Sequence, residues 1–309
     1  MPDFFIVGHH KSGTTALYEM LRRHPDIFMP AVKEPRYFAS DLRPLTSLAY
    51  SQTLEGYLAL FASARPEQRV GEATPMYILS RTAADAIAAV QPAARIIVIF
   101  REPASFLRSL HLQFVQAHVE TEKDLRTALA LEEARRQGKN LPERLQRPQM
   151  LMYSDHVHYV EQLRRYHAVF PRDQVLVLIY EDFRENNDAT VRTVLRFLDV
   201  DDTAPIEAIE ANPSVHVRSV RLNHLVRGLY TGRGRAGHAV NAVVKALLPR
   251  RARHRALKTV NRRLLYEQPR PPDEELMREL RRRFKPEVER LGSYLDRDLV
   301  GLWGYDKLD

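Results

Sequence analysis

Cysteine is missing from all 309 residues, and this absence excludes two kinds of structure. Without thiols the chain has no disulfide framework and no thiolate metal site. It also lacks any apolar run close to the roughly 20 residues that a membrane-spanning helix needs. The sequence passes from Met-Pro-Asp directly into a predicted strand, so we expect no signal peptide. Together these absences favour a soluble protein of the cytoplasm.

The composition that remains is that of a globular protein with unevenly distributed charge. Hydrophobic residues make up 44% of the chain and charged residues 28%, which argues against a disordered or fibrous protein. Between Arg218 and Arg297 there are 21 Lys and Arg against 8 Asp and Glu, a net charge of +13, whereas the whole chain carries +8. This basic third predicts either solvated helix faces or contact with an anion such as a nucleotide, an acidic partner or a polyanion. The many Ala and Arg residues favour a bacterial source.

Alternating strand and helix patterns indicate a parallel α/β sheet flanked by helices. The strands read as continuous apolar runs, which is typical of strands that are buried on both faces. We expect one domain over residues 1–309, with an α/β core over 1–214 and a basic, mostly helical extension over 215–309. Strands are predicted at 4–7, 95–100 and 174–180, and helices near 14–23, 54–62, 82–90, 125–137, 157–170, 189–198, 217–230, 238–248, 255–266 and 273–290.

The first strand is followed by a short turn that contains a lysine, a glycine and hydroxyl groups, and then by a helix. Such a turn forms a phosphate-binding loop, because backbone N–H groups and the helix N-terminus face the anion. The loop of nucleoside triphosphatases has the pattern G-x-x-x-x-G-K-[ST], in which lysine follows the second glycine. Here Lys11 precedes Gly13. We therefore expect a nucleotide-anion site that is not a triphosphatase site.

Polar residues also follow the other predicted strands, where open α/β sheets place their ligand sites. Arg101 comes directly after the strand 95–100, and Ser109 lies about two turns into the next helix. Both side chains could therefore face one phosphate. Tyr180-Glu181-Asp182 stands at the end of a further strand.

With these motifs the chain resembles the sulfotransferases that use 3′-phosphoadenosine 5′-phosphosulfate (PAPS), in particular the bacterial and heparan-sulfate-type branch. Residues 11–15 match the 5′-phosphosulfate loop of that family, and Arg101 with Ser109 matches its 3′-phosphate motif. Residues 33–38, Lys-Glu-Pro-Arg-Tyr-Phe, resemble the segment that supplies a glutamate base. Further landmarks are residues 71–75, 180–182 and 212–214. The match runs from Phe4 to about Ser214 and weakly to Trp303, and it implies a P-loop-like three-layer fold.

The resemblance also implies a role for each site residue. Lys11 would stabilise the charge on the departing phosphate, and Glu34 would act as general base on the acceptor. No metal is expected. The residues implied to bind PAPS, or its product 3′,5′-ADP, are Lys11, Ser12, Gly13, Thr14 and Thr15 at the 5′ side and Arg101 and Ser109 at the 3′-phosphate.

The acceptor remains open at this point. A hydroxyl or amine of a glycan, a lipid or a natural product is possible, either free or held on a carrier protein. Ala73 stands where some heparan sulfate enzymes have a second catalytic lysine, and the cysteine-free chain lacks their disulfide loop. Both departures argue against transferring the glycan substrate with the fold. The small-molecule branch uses a histidine base, so four histidines are alternatives to Glu34: His111, His118, His156 and His158.

Two other functions compete with sulfuryl transfer. One is a small-molecule P-loop kinase, against which the position of Lys11 argues. The other is a non-catalytic protein that binds a nucleotide or polyanion through its basic third. We expect no nucleic-acid partner, because the basic third has few aromatic residues and no recognised reading motif. The sequence does not define the oligomeric state.

Overall fold

A five-stranded parallel sheet lies at the centre of this computed structural model, which describes residues 1–42, 53–143, 145, 147–207, 216–217, 266–267 and 271–308. The strand order is β2-β3-β1-β4-β5, so the first strand is central and the chain crosses over between neighbours. All pairs in this sheet are parallel, which confirms the predicted fold class. The strands are β1 (Phe4–Gly8), β2 (Ile27–Phe28), β3 (Arg69–Ala73), β4 (Arg95–Phe100) and β5 (Val175–Ile179).

Helices flank the sheet and continue towards the C-terminus. No helix among the described residues is long and apolar enough to cross a membrane. A separate antiparallel pair joins β6 (His216–Val217) and β7 (Tyr266–Glu267). The helices are α1 (Thr14–Leu21), α2 (Leu54–Leu58), α3 (Ala83–Val90), α4 (Pro103–Gln116), α5 (Leu125–Ala130), α6 (Glu132–Arg136), α7 (Tyr159–His167), α8 (Tyr180–Glu185), α9 (Asn187–Phe197), α10 (Glu274–Leu295) and α11 (Leu299–Leu302).

Both faces of the central strands are buried, as the continuous apolar runs predict. Every residue of β1 is buried, and so is every residue of β4 after Arg95. Because side chains alternate across a strand, Phe4 and Ile6 pack on the face that carries α1 and α9. Phe5 points to the opposite face, where its ring meets Phe38 edge-on at 5.7 Å. Packing on both faces fixes the position of the carboxyl ends of the strands.

The chain divides into two compact units. The first contains residues 1–106, 152–212 and 275–309, and therefore the whole parallel sheet. The second contains residues 107–151 and 213–274. Within the second unit, the buried Arg135 guanidinium makes a two-pronged ion pair with Glu120, with N···O distances of 2.8 and 2.9 Å. Such bidentate pairing is the geometry in which a buried Arg–Glu pair is best satisfied.

The elements that the sequence predicted with long apolar patterns are present. The predicted strands at 95–100 and 174–180 are β4 and β5, and the last predicted helix is α10. The strands β2 and β3 were not predicted. The predicted helices at 217–230, 238–248 and 255–266 lie outside the described residues, apart from 217 and 266, which belong to β6 and β7.

A buried carboxylate, that of Glu72, lies near the carboxyl end of β3. Glu72 is completely buried and accepts hydrogen bonds from three hydroxyls: Thr74 Oγ1 at 2.5 Å, Tyr57 at 2.6 Å and Tyr77 at 3.2 Å. Burial raises the pKa of Glu72 to about 7, although the three hydroxyl donors oppose the shift. The donors hold the loop after β3 against the strand end.

We predict that Glu72 makes the stability of the protein fall as the pH rises. Its pKa is about 7 in the fold against 4.5 ordinarily, so between these values the native state holds a proton that the unfolded chain has released. The free energy of unfolding should therefore drop by up to about 3 kcal/mol from pH 4.5 to pH 7 through this group. Urea unfolding at several pH values tests the sign, because Glu72→Gln should remove this part of the slope.

The exposed Glu133 offers a matched control. Glu133→Gln should leave the pH dependence of the wild type in place. A wild-type slope that survives in Glu72→Gln would show that another group causes it.

Candidate functional site

The loop after β1 opens directly into α1. The His9 N–H donates to Ile99 O at 2.9 Å, so the loop starts beside the carboxyl end of β4. Gly13 lies in the left-handed region with φ of 85° and precedes Thr14, the first residue of α1. No side chain caps this helix end. The first N–H groups of α1 therefore remain available to an anion.

Lys11 carries the positive charge of this loop. It adopts a left-handed φ of 60°, which is uncommon for a residue with a side chain. Burial lowers the pKa of Lys11, and the neighbouring Arg101 charge lowers it further. Among the described residues, no carboxylate forms an ion pair with Lys11. The loop therefore holds a partly buried cation without a counter-charge.

Arg101 connects the end of β4 to this loop. Its Nη1 donates to the Lys11 carbonyl at 2.9 Å, and its guanidinium lies over the Tyr180 ring at 4.6 Å. The register of the sheet explains this contact, because Phe100 pairs with Ile179 and both strands end at that point. The Tyr159 hydroxyl donates to the Arg101 carbonyl at 2.9 Å. The Arg101 Nε is buried and has no hydrogen-bond acceptor within the part of the chain that is described.

Glu34 lies beside the end of β3, the other neighbour of β1. Its N–H donates to Ala73 O at 3.1 Å, which anchors the segment to that strand. Its carboxylate is paired with two cations of its own segment, Lys33 at 3.3 Å and Arg36 at 2.6 Å. Glu34 and Arg36 both have positive φ values, 65° and 58°. The segment is thus held in a sparsely populated backbone conformation, of the kind that is often found at functional sites.

The charge state of Glu34 is set by its cationic neighbours. Burial on its own would raise the pKa of Glu34, but His10, Lys33 and Arg36 outweigh it and lower the pKa to about 2. Burial lowers the pKa of His10 to about 4, partly against the opposing effect of Glu34. At neutral pH the structure therefore has an ionised Glu34 beside a neutral His10.

The histidines differ in what surrounds them. His9 is fully buried, its Nε2 lies 2.6 Å from Gln162 Oε1, and three aromatic rings surround it. Burial lowers the pKa of His9 to about 3, so it is a neutral packing residue behind the loop. In the second unit, His111 Nε2 lies 3.0 Å from the Lys123 carbonyl oxygen, so that nitrogen is hydrogen-bonded to the backbone. His10 Nε2 is buried and has no partner among the described residues.

The predicted site residues are only partly brought together. Lys11, Ser12, Gly13, Thr14, Thr15, Glu34 and Arg101 all belong to the first unit. Ser109 is buried on α4 and belongs to the second unit. The joint binding of a 3′-phosphate by Arg101 and Ser109 therefore stays a prediction.

Two contacts of Arg101 were not predicted from the sequence. Tyr180 supports the Arg101 guanidinium with its ring, and Tyr159 fixes the Arg101 carbonyl. The position of Tyr180 directly after a strand was a signal for the first; nothing in the sequence places Tyr159 near Arg101. Among the described residues, no group of three or more His, Asp or Glu side chains is arranged to hold a metal ion.

Comparison with known proteins identifies the family. The profile of the Sulfotransferase domain matches residues 1–219. The chain is 27% identical to human carbohydrate sulfotransferase 15 over 255 residues, which is 65% of this chain and 44% of that protein. It is 35% identical to human heparan sulfate glucosamine 3-O-sulfotransferase 6 over 104 residues, or 34% of this chain and 28% of that protein. The chain thus spans less than half the length of these curated relatives.

A solved structure extends the similarity to almost the whole chain. The sulfotransferase from Alicyclobacillus acidocaldarius superposes with a TM-score of 0.69 at 26% identity. The match covers 98% of both chains. The P-loop-like fold that the sequence resemblance implied is therefore confirmed.

We predict that Gly13→Ala disrupts the loop in two ways. Alanine disfavours the left-handed φ of 85° by about 1 kcal/mol, and its Cβ would lie 2.9 Å from Phe183 Cδ1. The free energy of unfolding should fall by more than the backbone effect alone. Gly138→Ala is the matched control, because Gly138 has φ of 78° but open space around the added carbon. Equal losses in the two variants, measured by urea unfolding, would contradict the crowding at Gly13.

Proposed function

The chain belongs to the Sulfotransferase domain family, and from this premise we propose that it transfers the sulfuryl group of PAPS to an acceptor hydroxyl or amine. The 3′-phosphate of the donor is assigned to Arg101 with Ser109, and its 5′ side to residues 11–15. Glu34 is assigned as the general base. These assignments rest on the residues that match the family motifs and on the contacts of Lys11, Arg101 and Glu34.

One observation carries the proposal: two adjacent cations face the loop without a carboxylate partner. Burial and the neighbouring Arg101 charge lower the pKa of Lys11, and neither Lys11 nor Arg101 forms an ion pair with a described residue. A guanidinium has five N–H groups, and Arg101 donates one of them to the protein in the described part. A buried N–H without an acceptor is unfavourable by about 1–3 kcal/mol, so the Arg101 Nε favours the arrival of an anion.

We assign Lys11 to the leaving group. PAPS supplies an activated sulfuryl group whose transfer leaves 3′,5′-ADP, and negative charge grows on the phosphate oxygen that departs. A fixed cation at that oxygen stabilises the transition state more than the ground state, which is the condition for catalysis. The N–H groups at the start of α1 add hydrogen-bond donors on the same side.

Glu34 is the proposed proton acceptor for the attacking group. Its low pKa reflects His10 and the two cations that pair with it, Lys33 and Arg36, which together outweigh burial, and a carboxylate so strongly paired is a weak base. The donor brings several negative charges, which compete for Lys33 and Arg36 and raise the proton affinity of nearby groups. We therefore propose that donor binding converts Glu34 into an effective base.

The acceptor class and the compartment are proposals of the same kind. The relatives named for carbohydrate and heparan sulfate support a glycan acceptor, and a lipid, a natural product or a carrier-bound substrate remains compatible with the site. A cytoplasmic, bacterial protein is supported by the absence of cysteine and by the similarity to a bacterial sulfotransferase.

The direct test of the donor assignment is a comparison of nucleotides. We predict that 3′,5′-ADP raises the melting temperature more than 5′-AMP, 2′,5′-ADP or ATP at equal concentration. A ligand at about 100 times its Kd stabilises the fold by about 2.7 kcal/mol, which is readily measured. Arg101→Lys should remove the preference for 3′,5′-ADP, because lysine lacks the planar fork of donors. Arg65→Lys, on an exposed side chain, should preserve it.

The order of the nucleotides decides between the candidate functions. Stronger stabilisation by ATP than by 3′,5′-ADP would contradict the sulfotransferase assignment and favour a kinase. Equal effects of all four nucleotides would favour a non-catalytic anion-binding protein.

We further predict different defects for the two proposed catalytic residues. Lys11→Ala should lose most of the turnover, and it should also bind 3′,5′-ADP more weakly, because Lys11 is assigned to the 5′-phosphate. Glu34→Gln should reduce turnover by about 10²–10⁴-fold and leave 3′,5′-ADP binding within about twofold. Single-turnover kinetics with PAPS and calorimetry with 3′,5′-ADP separate the two effects. If Glu34→Gln keeps turnover and His10→Gln loses it, the base is the histidine.

A further inference from the structure

A segment outside the matched family region packs against the two strand ends that hold Arg101 and Tyr180. We propose that residues 275–308 position Arg101 for the 3′-phosphate of the donor, with Trp303 and Tyr305 as the positioning residues. This inference rests on the proposed function. The family profile ends at residue 219, so nothing in the matched region assigns a role to this segment.

The first connection runs through Glu102, the residue after Arg101. Glu102 is buried, and the fully buried Tyr305 donates its hydroxyl to Glu102 Oε1 at 2.7 Å. The same carboxylate accepts the N–H of Ala104 at 3.1 Å and the N–H of Ser105 at 2.7 Å. Glu102 therefore caps the start of α4, and Tyr305 fixes the carboxylate that forms the cap.

The second connection runs through Glu181, the residue after Tyr180. The Trp303 indole donates to Glu181 Oε2 at 2.9 Å, and the Glu102 N–H donates to Glu181 Oε1 at 3.3 Å. Burial raises the pKa of Glu181, and the Trp303 hydrogen bond opposes that shift. The carboxylate of Glu181 therefore bridges the segment to the backbone beside Arg101.

Hydrogen bonds hold the peptide bond between Arg101 and Glu102 on both sides, one from Tyr159 of α7 and one to Glu181 of the second connection. The Arg101 carbonyl accepts the Tyr159 hydroxyl, and the Glu102 N–H is bound by Glu181. Trp303 and Tyr305 act on Arg101 through Glu181 and Glu102. They are positioning residues, because their polar atoms are committed to these carboxylates.

Charge gives the arrangement its functional consequence. The charge of Glu181 interacts with that of Arg101, and Glu102 is the next residue along the chain, so either carboxylate would compete with a phosphate for the guanidinium. Neutral donors of the segment occupy both carboxylates, and burial together with Glu102 raises the pKa of Tyr305 above its ordinary value, so its hydroxyl keeps its proton. The guanidinium of Arg101 therefore stays directed at Lys11 and the Tyr180 ring.

Ion pairs attach the segment to the same two places. Arg281 Nε lies 3.6 Å from Glu102 Oε1, and Arg297 Nη2 lies 2.6 Å from Asp182 Oδ2. On α10, Glu287 accepts the Val160 N–H at 2.8 Å, which anchors the segment to the start of α7 near Tyr159. The segment thus contacts α7 and α8, the helices that carry Tyr159 and Tyr180.

The test measures how much the 3′-phosphate adds to binding, as the ratio of the affinities for 3′,5′-ADP and 5′-AMP. Tyr305→Phe and Trp303→Phe each remove one donor and keep an aromatic ring. We expect each to lower this ratio by about tenfold, because a hydrogen bond to a charged group is worth about that factor. The affinity for 5′-AMP should stay within about twofold of the wild-type value. Calorimetry measures the affinity for 3′,5′-ADP directly. The affinity for 5′-AMP is then measured by displacing it with 3′,5′-ADP.

Tyr294→Phe is the matched control. Tyr294 lies on α10 of the same segment, and its hydroxyl lies 2.8 Å from His167 Nδ1, so the substitution removes a comparable hydrogen bond away from Glu102. This variant should bind both nucleotides as the wild type does. If Tyr305→Phe does not fold, Trp303→Phe carries the test alone, because the indole bonds to a different carboxylate.

Two results would overturn the inference. An unchanged ratio in both variants, or an equal loss for both nucleotides, would show that the segment only stabilises the fold. A wild-type protein that does not prefer 3′,5′-ADP to 5′-AMP would overturn the proposed function itself, and the two failures are therefore distinguishable.

Discussion

The hydrogen bond from Arg101 Nη1 to the Lys11 carbonyl joins the ends of two neighbouring strands, and the proposed donor site depends on it. β1 and β4 are adjacent in the sheet and parallel, so the residues that follow them emerge at the same edge. The bond ties the cation after β4 to the backbone of the loop after β1. A change in either strand would therefore disturb the cations for both phosphates of the donor at once.

Electrostatics explain why this arrangement suits an anionic donor. Burial lowers the pKa of Lys11, and the nearby Arg101 charge lowers it further, while among the described residues neither cation forms an ion pair with a carboxylate. Glu34 is compensated instead by Lys33 and Arg36. In the proposed mechanism, the donor-free protein therefore carries positive charge where the phosphates would bind, and Glu34, the proposed base, stays weak until the donor arrives. Such fixed charges need no reorganisation during the reaction, which is the general advantage of a preorganised site.

The sequence predicted the parts of this structure that follow from local patterns. The buried strands β4 and β5 have continuous apolar runs, so the sequence predicts them as strands. The loop at Lys11–Gly13 lies between a strand pattern and a helix pattern, so the sequence also predicts a turn there. β3 was missed because its residues, Arg-Val-Gly-Glu-Ala, combine a glycine with two charges. Its strand conformation comes from pairing with β1, and the buried Glu72 is satisfied by the hydroxyls of Tyr57, Thr74 and Tyr77, which fold back onto the strand end.

The contacts of Arg101 likewise could not be predicted from local sequence patterns. Its place after a strand was predicted from the sequence, but Tyr159 and Lys11, which fix its orientation, are far away along the chain. No pattern in Trp303 or Tyr305 indicates that they meet Glu181 and Glu102. Such contacts are set by tertiary packing, which single-sequence patterns do not encode.

A crystal structure of the complex with 3′,5′-ADP tests the central claim most directly, because it locates both phosphates. We predict the 5′-phosphate against the N–H groups of residues 12–15 with Lys11 Nζ beside it, and the 3′-phosphate within hydrogen-bonding distance of the Arg101 guanidinium. A nucleotide bound in the opposite orientation, or bound away from Lys11 and Arg101, would contradict the account.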